Sequence, residues 1–171
     1  FFAAMTENGA HFNIPSALVS MNELSNHDHS RFLTRTNRMV GRTAFAGPVA
    51  AGMGVNKAIM RMAVVMQMTW VGAPTIYYGD EAGMQGYADP LNRTCYPWGQ
   101  EDKELIKWYQ KLGQIRKTYS AFKNGEYQEI FVSDGIYIFK RFDKKSEVMI
   151  AVNLSEKDVR SEEHTSELQS L

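Results

Sequence analysis

The chain is predicted to be an α/β fold with parallel strands and helical crossovers, followed by a short antiparallel β segment. Three observations predict this. Over residues 1–120, short β-prone runs alternate with longer runs of helical periodicity, the signature of strands joined through helices. Two of those β-prone runs end abruptly in polar clusters, Asn26-His27-Asp28-His29 and Gly79-Asp80-Glu81. Beyond Lys123-Asn124-Gly125 three short strand-like runs follow one another, punctuated by turn residues.

The elements are justified in order. Residues 1–8 read as the end of a helix stopping near Asn8-Gly9. Ala17-Leu18-Val19-Ser20-Met21-Asn22-Glu23 reads as a buried strand at about 17–23, and the Asn26–His29 cluster follows it. Arg31, Arg35, Arg38 and Arg42 recur at three- or four-residue spacing and would line one helix face, solvated or turned toward a substrate. Gly47-Pro48 opens a small-residue linker ending near Gly54. Val55, Ile59, Met62, Ala63, Met66 and Trp70 fall at helical spacing, which predicts an amphipathic helix over 55–70. Its methionines read as packing for irregular gaps rather than as ligands. Gly72-Ala73-Pro74 breaks that helix, and Thr75-Ile76-Tyr77-Tyr78 is strongly β-prone. A long loop covers about 82–100. Asp102 then caps a helix whose apolar face carries Leu105, Trp108, Tyr109, Leu112, Ile115 and Tyr119. Glu126–Val132, Gly135–Phe142 and Glu147–Asn153 are the three closing strands, with turns at Ser133-Asp134-Gly135 and Asp143-Lys144-Lys145-Ser146.

Composition narrows the function classes. The chain has 171 residues, 44% hydrophobic and 22% charged, which suits a folded globular protein rather than a disordered one. Nineteen basic residues balance nineteen acidic ones, so no whole-chain field argues for nucleic acid or an anionic membrane. The uncharged run Met62–Gly79 is as long as a minimal membrane span, but Gln67, Gly72 and Pro74 interrupt it and its periodicity changes midway. The single cysteine, Cys95, excludes an intrachain disulfide and favours a cytoplasmic over a secreted location. The sequence starts Phe1-Phe2-Ala3 without a methionine, so a targeting segment, if the gene encodes one, is expected upstream. Residues 160–171 resemble the conceptual translation of a sequencing adapter and are set aside from the fold argument.

Residue chemistry leaves three readings of Asn26-His27-Asp28-His29. His, Asp and His are all metal ligands, although no further Cys or His lies nearby to complete a shell. Strand alternation would place His27 and His29 on one face and Asp28 on the other. Asp28 is equally a loop cap, with His27 a satisfied core group. The third reading is a sugar site, in which a carboxylate and an imidazole bind vicinal hydroxyls and help distort a ring toward an oxocarbenium-like state. Asp89 and Arg93, four apart in the later loop, offer an acceptor and a fork of donors to a polyol. Tyr87, Tyr96 and Trp98 are expected around them, with flat rings suited to pyranose faces.

Leu24-Ser25-Asn26-His27-Asp28-His29-Ser30-Arg31-Phe32-Leu33-Thr34 resembles the motif after the seventh barrel strand of the α-amylase family of glycoside hydrolases. Gly72-Ala73-Pro74-Thr75-Ile76-Tyr77-Tyr78-Gly79-Asp80-Glu81-Ala82-Gly83-Met84 is similar to that family's eighth strand and the turn after it. Asp89-Pro90-Leu91-Asn92-Arg93 through Tyr96-Pro97-Trp98 is similar to its sugar-binding loop. The flavour is that of neopullulanases, cyclomaltodextrinases and maltogenic amylases.

The resemblance implies the C-terminal part of a (β/α)8 TIM barrel, strands 7 and 8 with their helices, at 1–122. It implies the start of a C-terminal β-sandwich domain at 123–159. It implies Asp28 as the transition-state-stabilising carboxylate, with His27, Asn26, Asp89 and Arg93 binding an α-glucan oligosaccharide. No metal site and no cofactor are implied in this chain, and calcium in a longer parent is not legible from it. Leu91 and Thr94 stand where relatives often carry Asp and Arg, which bears on subsite preference. The implied activity of the parent is retaining hydrolysis of α-1,4-glucosidic bonds in maltodextrins, cyclodextrins, pullulan or starch. Transglycosylation and a non-catalytic, transporter-associated role are the alternatives.

The family's nucleophilic Asp and acid/base Glu follow its fourth and fifth strands, and no carboxylate here matches either motif. The 171 residues alone are therefore expected to be inactive, because losing the nucleophile costs several orders of magnitude in rate. A reducing-sugar assay with the purified chain and a maltodextrin should match the blank; release above the blank would contradict the assignment.

Overall fold

The computed structural model describes residues 14–38 and 47–155. The expected helix end at 1–8, the last arginine of the stripe, Arg42, and the segment 160–171 lie outside the described residues.

The first described element is a helix, α1, Ile14–Val19, where the sequence suggested the start of a strand. Pro15 lies in its first turn, where a missing N–H costs nothing. Ser20 closes the turn by donating its hydroxyl to the Ser16 carbonyl at 2.9 Å. Strand β1 is thereby confined to Met21–Glu23. The strand expected at 75–78 also shifts: β2 is Ala73–Thr75. It pairs with β1 in parallel, Met21 opposite Ala73 and Glu23 opposite Thr75. Gly72 permits this start, with φ of +120° and room for no side chain, since a Cβ would lie 2.5 Å from the Ser20 carbonyl. Beyond the paired stretch the Thr75 carbonyl accepts from Gln67 and the Tyr78 carbonyl from Arg31.

Between the strands the described residues form three helices. The first, α2, is only Phe32–Arg35, so the arginine stripe is not one helix face, and Arg31 is wholly buried rather than solvated. The expected linker contains α3, Gly47–Gly52, which begins with Pro48 in its first turn. Next, α4, Lys57–Thr69, starts where Asn56 accepts from the Ala58 and Ile59 amides. Helix α5, Lys103–Thr118, starts where Asp102 accepts from the Leu105 amide at 3.0 Å and from Lys57 Nζ at 2.7 Å. A further turn, α6, Ala121–Asn124, leads to the strands β3, Glu126–Ser133, β4, Ile136–Phe142, and β5, Glu147–Asn153. These form an antiparallel sheet in chain order, with a bulge between Glu129 and Phe131. The β4–β5 turn is closed by Asp143, which accepts from the Lys145 and Ser146 amides at 2.8 Å. Hydrogen bonds, led by that of Ser120, hold its carboxyl down to about 2.

Helix α4 serves two cores. Met60, Val64 and Met68 pack with Leu33, Leu105, Tyr109 and Leu112. Met66 packs with Phe122, Tyr137, Phe139, Ile150 and Val152 of the antiparallel sheet. Gln67, between them, donates its amide to the carbonyls of Asn22 and Thr75, tying the helix to both parallel strands. Two arginines close the C-terminal end of α4. Arg116 donates to the Met68 and Gly72 carbonyls at 2.7 and 2.6 Å. Arg141, fully buried in β4, donates to the carbonyls of Thr69, Gly125 and Glu126. Burial, with Arg116 nearby, pushes its guanidinium down to about 10. A cation at a helix C-terminus meets the negative end of the helix dipole.

Met60 has no exposed surface, so Met60→Ala should lower unfolding stability by about 2–5 kcal/mol. Met149→Ala, at a 43% exposed position, should stay within about 0.5 kcal/mol. Urea midpoints check both, and equal shifts would contradict the packing.

Candidate functional site

The strand β1 ends at Glu23, so the next residues are a loop and not a continuing strand; alternation across a sheet does not set the directions of His27 and His29. The loop is shaped from within. Asn26 Oδ1 accepts from the Asp28 and His29 amides at 3.0 and 3.2 Å, and its Nδ2 donates to Glu23 at 2.8 Å. This side-chain turn leaves His27 and Asp28 outside, with side chains 63% and 67% exposed and 3.4 Å apart.

From below, the loop is held by Asn92, which is fully buried. Its Nδ2 lies within hydrogen-bond distance of the carbonyls of Asn26, His27 and His29, at 3.2, 3.0 and 2.7 Å. The Asn92 carbonyl accepts from Arg31 Nε at 3.0 Å. Arg31 Nη1 donates to the Tyr78 carbonyl at 2.8 Å and to Asp80 at 3.1 Å. The guanidinium also lies over the Tyr77 and Tyr78 rings, 4.5 and 4.8 Å from their centroids. Gly86 completes the bracket: its carbonyl accepts from the Arg31 amide, and its amide donates to Thr34. A Cβ there would lie 2.5 Å from the Leu91 carbonyl and 2.9 Å from the Asn92 Cα, so only glycine allows the approach.

The second cluster sits on the same loop as Asn92. Asp89 and Arg93 form an ion pair at 2.6 Å, with side chains about half exposed (51% and 46%). Such a pair contributes about 0–1 kcal/mol, so stability is not a sufficient reason for it. Arg93 continues a tight turn, its amide donating to the Pro90 carbonyl. Tyr78 extends the connection by donating its hydroxyl to the Thr94 carbonyl at 2.8 Å. The Tyr96 and Trp98 ring centroids lie 4.6 Å apart with their planes tilted by 50°, and Trp98 is 81% exposed. Tyr87 departs from expectation: it is buried, and its hydroxyl reaches the Ala50 carbonyl, so it packs inward instead of lining the loop's outer surface.

The structure thus brings Asn26, His27 and Asp28 to one loop and Asp89 and Arg93 to the adjoining one, joined through Asn92. Sequence reasoning passed over Asn92 and misjudged Arg31. The available signal was a pair of opposite charges, Arg31 just after the Asn26–His29 cluster and Asp80 within the Gly79–Glu81 cluster. Among the described residues no group of three or more His, Cys, Asp or Glu is placed to hold a metal ion. Among the same residues, no helix is long and apolar enough to cross a membrane.

Electrostatics single out Asp80. It is 2% exposed, and burial raises its carboxyl above the ordinary 3.8 although Ser25 and Arg31 oppose the shift. Desolvation wins here over an ion pair at 3.1 Å, as is usual for charges removed from water.

Comparison with known proteins follows the same residues. The family described as alpha amylase, catalytic domain, matches residues 4–102. A cyclomaltodextrinase of Thermoanaerobacter pseudethanolicus is 36% identical over 141 residues, covering 81% of this chain and 22% of that protein. Neopullulanase 2 of Thermoactinomyces vulgaris is 31% identical, covering 77% of this chain and 20% of that protein. Among solved structures, an Anoxybacillus alpha-amylase superposes with a TM-score of 0.73 at 28% identity, over 91% of this chain and 31% of that one. The chain therefore spans about a fifth of the length of these curated relatives.

A raised carboxyl stabilises the fold most below its unfolded value, and that contribution declines as pH rises past 3.8 toward the folded value. The stability of the wild type relative to Asp80→Asn should therefore fall as pH rises from 3.5 to 7. Urea midpoints of both proteins across that range check the sign, and a difference that grows with pH would contradict it.

Proposed function

This chain belongs to the alpha-amylase family, and on that premise we propose that its two exposed loop clusters together grip an α-glucan. The supporting observation is one of economy. His27, Asp28, Asp89 and Arg93 are held outward by a fully buried scaffold, yet their own ion pairs are too exposed to be needed for folding. An outward carboxylate, imidazole and guanidinium on adjoining loops present acceptors and donors to neighbouring sugar hydroxyls. Tyr96 and Trp98 supply an apolar platform beside them for a pyranose face.

In this reading Asp28 stabilises the transition state. Its carboxylate holds ring hydroxyls as the sugar flattens toward an oxocarbenium ion, with His27 on a neighbouring hydroxyl. Asn26 shapes the loop and has a second amide hydrogen for the same ring. Asp89 and Arg93 bind the adjacent glucose. The reaction of the whole protein is retaining hydrolysis of α-1,4-glucosidic bonds in maltodextrins, cyclodextrins, pullulan or starch. Its nucleophilic Asp and acid/base Glu come from protein beyond these residues. The barrel portion is the parallel pair β1 and β2 with its helices, corresponding to strands 7 and 8 over 1–122; 123–159 opens a β domain.

Titration of the chain with maltotriose, followed by tryptophan fluorescence with Trp98→Phe as the control, tests this. Asp28→Ala and Arg93→Ala should each weaken binding about tenfold or more, the scale of a lost hydrogen bond to a charged group. Their urea midpoints should stay close to wild type. Unchanged affinity in both variants would contradict the proposal.

A further inference from the structure

The geometry points to Asn92 as a positioning residue that sets both sugar-facing clusters at once, with Arg31 fixing Asn92. The inference rests on the sugar-site reading above and extends it to a residue that touches no sugar. Three carbonyls of one loop, those of Asn26, His27 and His29, converge on a single amide nitrogen, Asn92 Nδ2. Carbonyls converge in this way only when the loop backbone curls around the donor, so the Asn92 amide templates the curvature of the His27-Asp28 segment. Asn92 is also the residue immediately before Arg93 and three after Asp89. Any movement of its backbone moves that ion pair.

Its own position is set by burial and by Arg31. The Asn92 carbonyl accepts from Arg31 Nε, while the other face of that guanidinium is committed to Tyr78 and Asp80. Gly86 forms the wall behind, close enough to exclude a Cβ. Asn92 is thus the single side chain among the described residues that hydrogen-bonds the Asn26–His29 carbonyls from the Asp89–Arg93 loop. A lysine at 31 would keep the charge near Asp80 but lacks the planar fork that reaches Asn92, Tyr78 and Asp80 together. A serine at 92 would keep one donor on a shorter stem.

The test uses the full chain, with hydrogen exchange read by mass spectrometry and maltotriose titration. In Asn92→Ser and Arg31→Lys, exchange of the peptide covering 24–32 should rise at least tenfold while the peptide covering 136–150 keeps its wild-type rate. Maltotriose affinity should fall at least fivefold in both, with urea midpoints showing the fold retained. Unchanged exchange at 24–32 would overturn the proposal. So would a rise shared equally by 136–150 in both variants, which marks general loss of structure. A wild-type chain that shows local release in the variants but binds no maltotriose would instead contradict the sugar-site reading and leave the positioning role standing.

Discussion

Arg31 carries a full charge into the interior, and burial of a guanidinium is tolerated only where its donors find acceptors of fixed geometry. Here Nε finds the Asn92 carbonyl and Nη1 the Tyr78 carbonyl and the Asp80 carboxylate, while Nη2 is buried without a hydrogen-bond partner among the described residues. The three acceptors belong to the loop and turn that follow β2, while Arg31 itself follows β1. The ion pair therefore welds together what comes after two neighbouring parallel strands. Removing one partner of such a pair costs about 3–5 kcal/mol, chiefly because the other charge remains buried.

This constraint explains why the outward residues can be cheap in stability and still fixed in place. Asp28 and Arg93 lie in water, where ion pairs contribute little and side chains are free to move. Their backbones are not free. The loop at 26–29 is curled by Asn26 from inside and by Asn92 from beneath, and the loop at 89–93 carries Asn92 as part of its turn. The rest of the chain supports this bracket from behind: α4 ties β1 and β2 through Gln67, packs on α5 through one core and on the antiparallel sheet through another.

Much of the fold was legible because it is specified locally. Asp102 is a cap readable from residue type, so α5 starts where the sequence says, and the helix expected over 55–70 is observed at Lys57–Thr69 behind Asn56. The β3–β4–β5 sheet is readable because Asp134-Gly135 and Asp143–Ser146 mark its turns. The parallel strands were misplaced because three-residue strands have no local signature. Pro15 and Ser20 delay the start of β1, and the Thr75 carbonyl at the end of β2 is taken by Gln67 of α4. The site divides the same way. Type and spacing make His27, Asp28, Asp89 and Arg93 candidates. Asn92 and Arg31 are not marked in this way, since their partners lie 47 to 66 positions away and only burial reveals what they do. Tyr87 was misread for the converse reason: an aromatic in a polar loop turned out to face the core.

The central claim is that one buried bracket makes two loop clusters into a single sugar site. A crystal structure of the chain with maltotriose tests it most directly. The account predicts one oligosaccharide with contiguous glucose rings, hydroxyls of one within hydrogen-bond distance of Asp28 and His27, and those of its neighbour on Asp89 and Arg93. A sugar bound away from both clusters, or seated on one while the other faces open solvent, would contradict it.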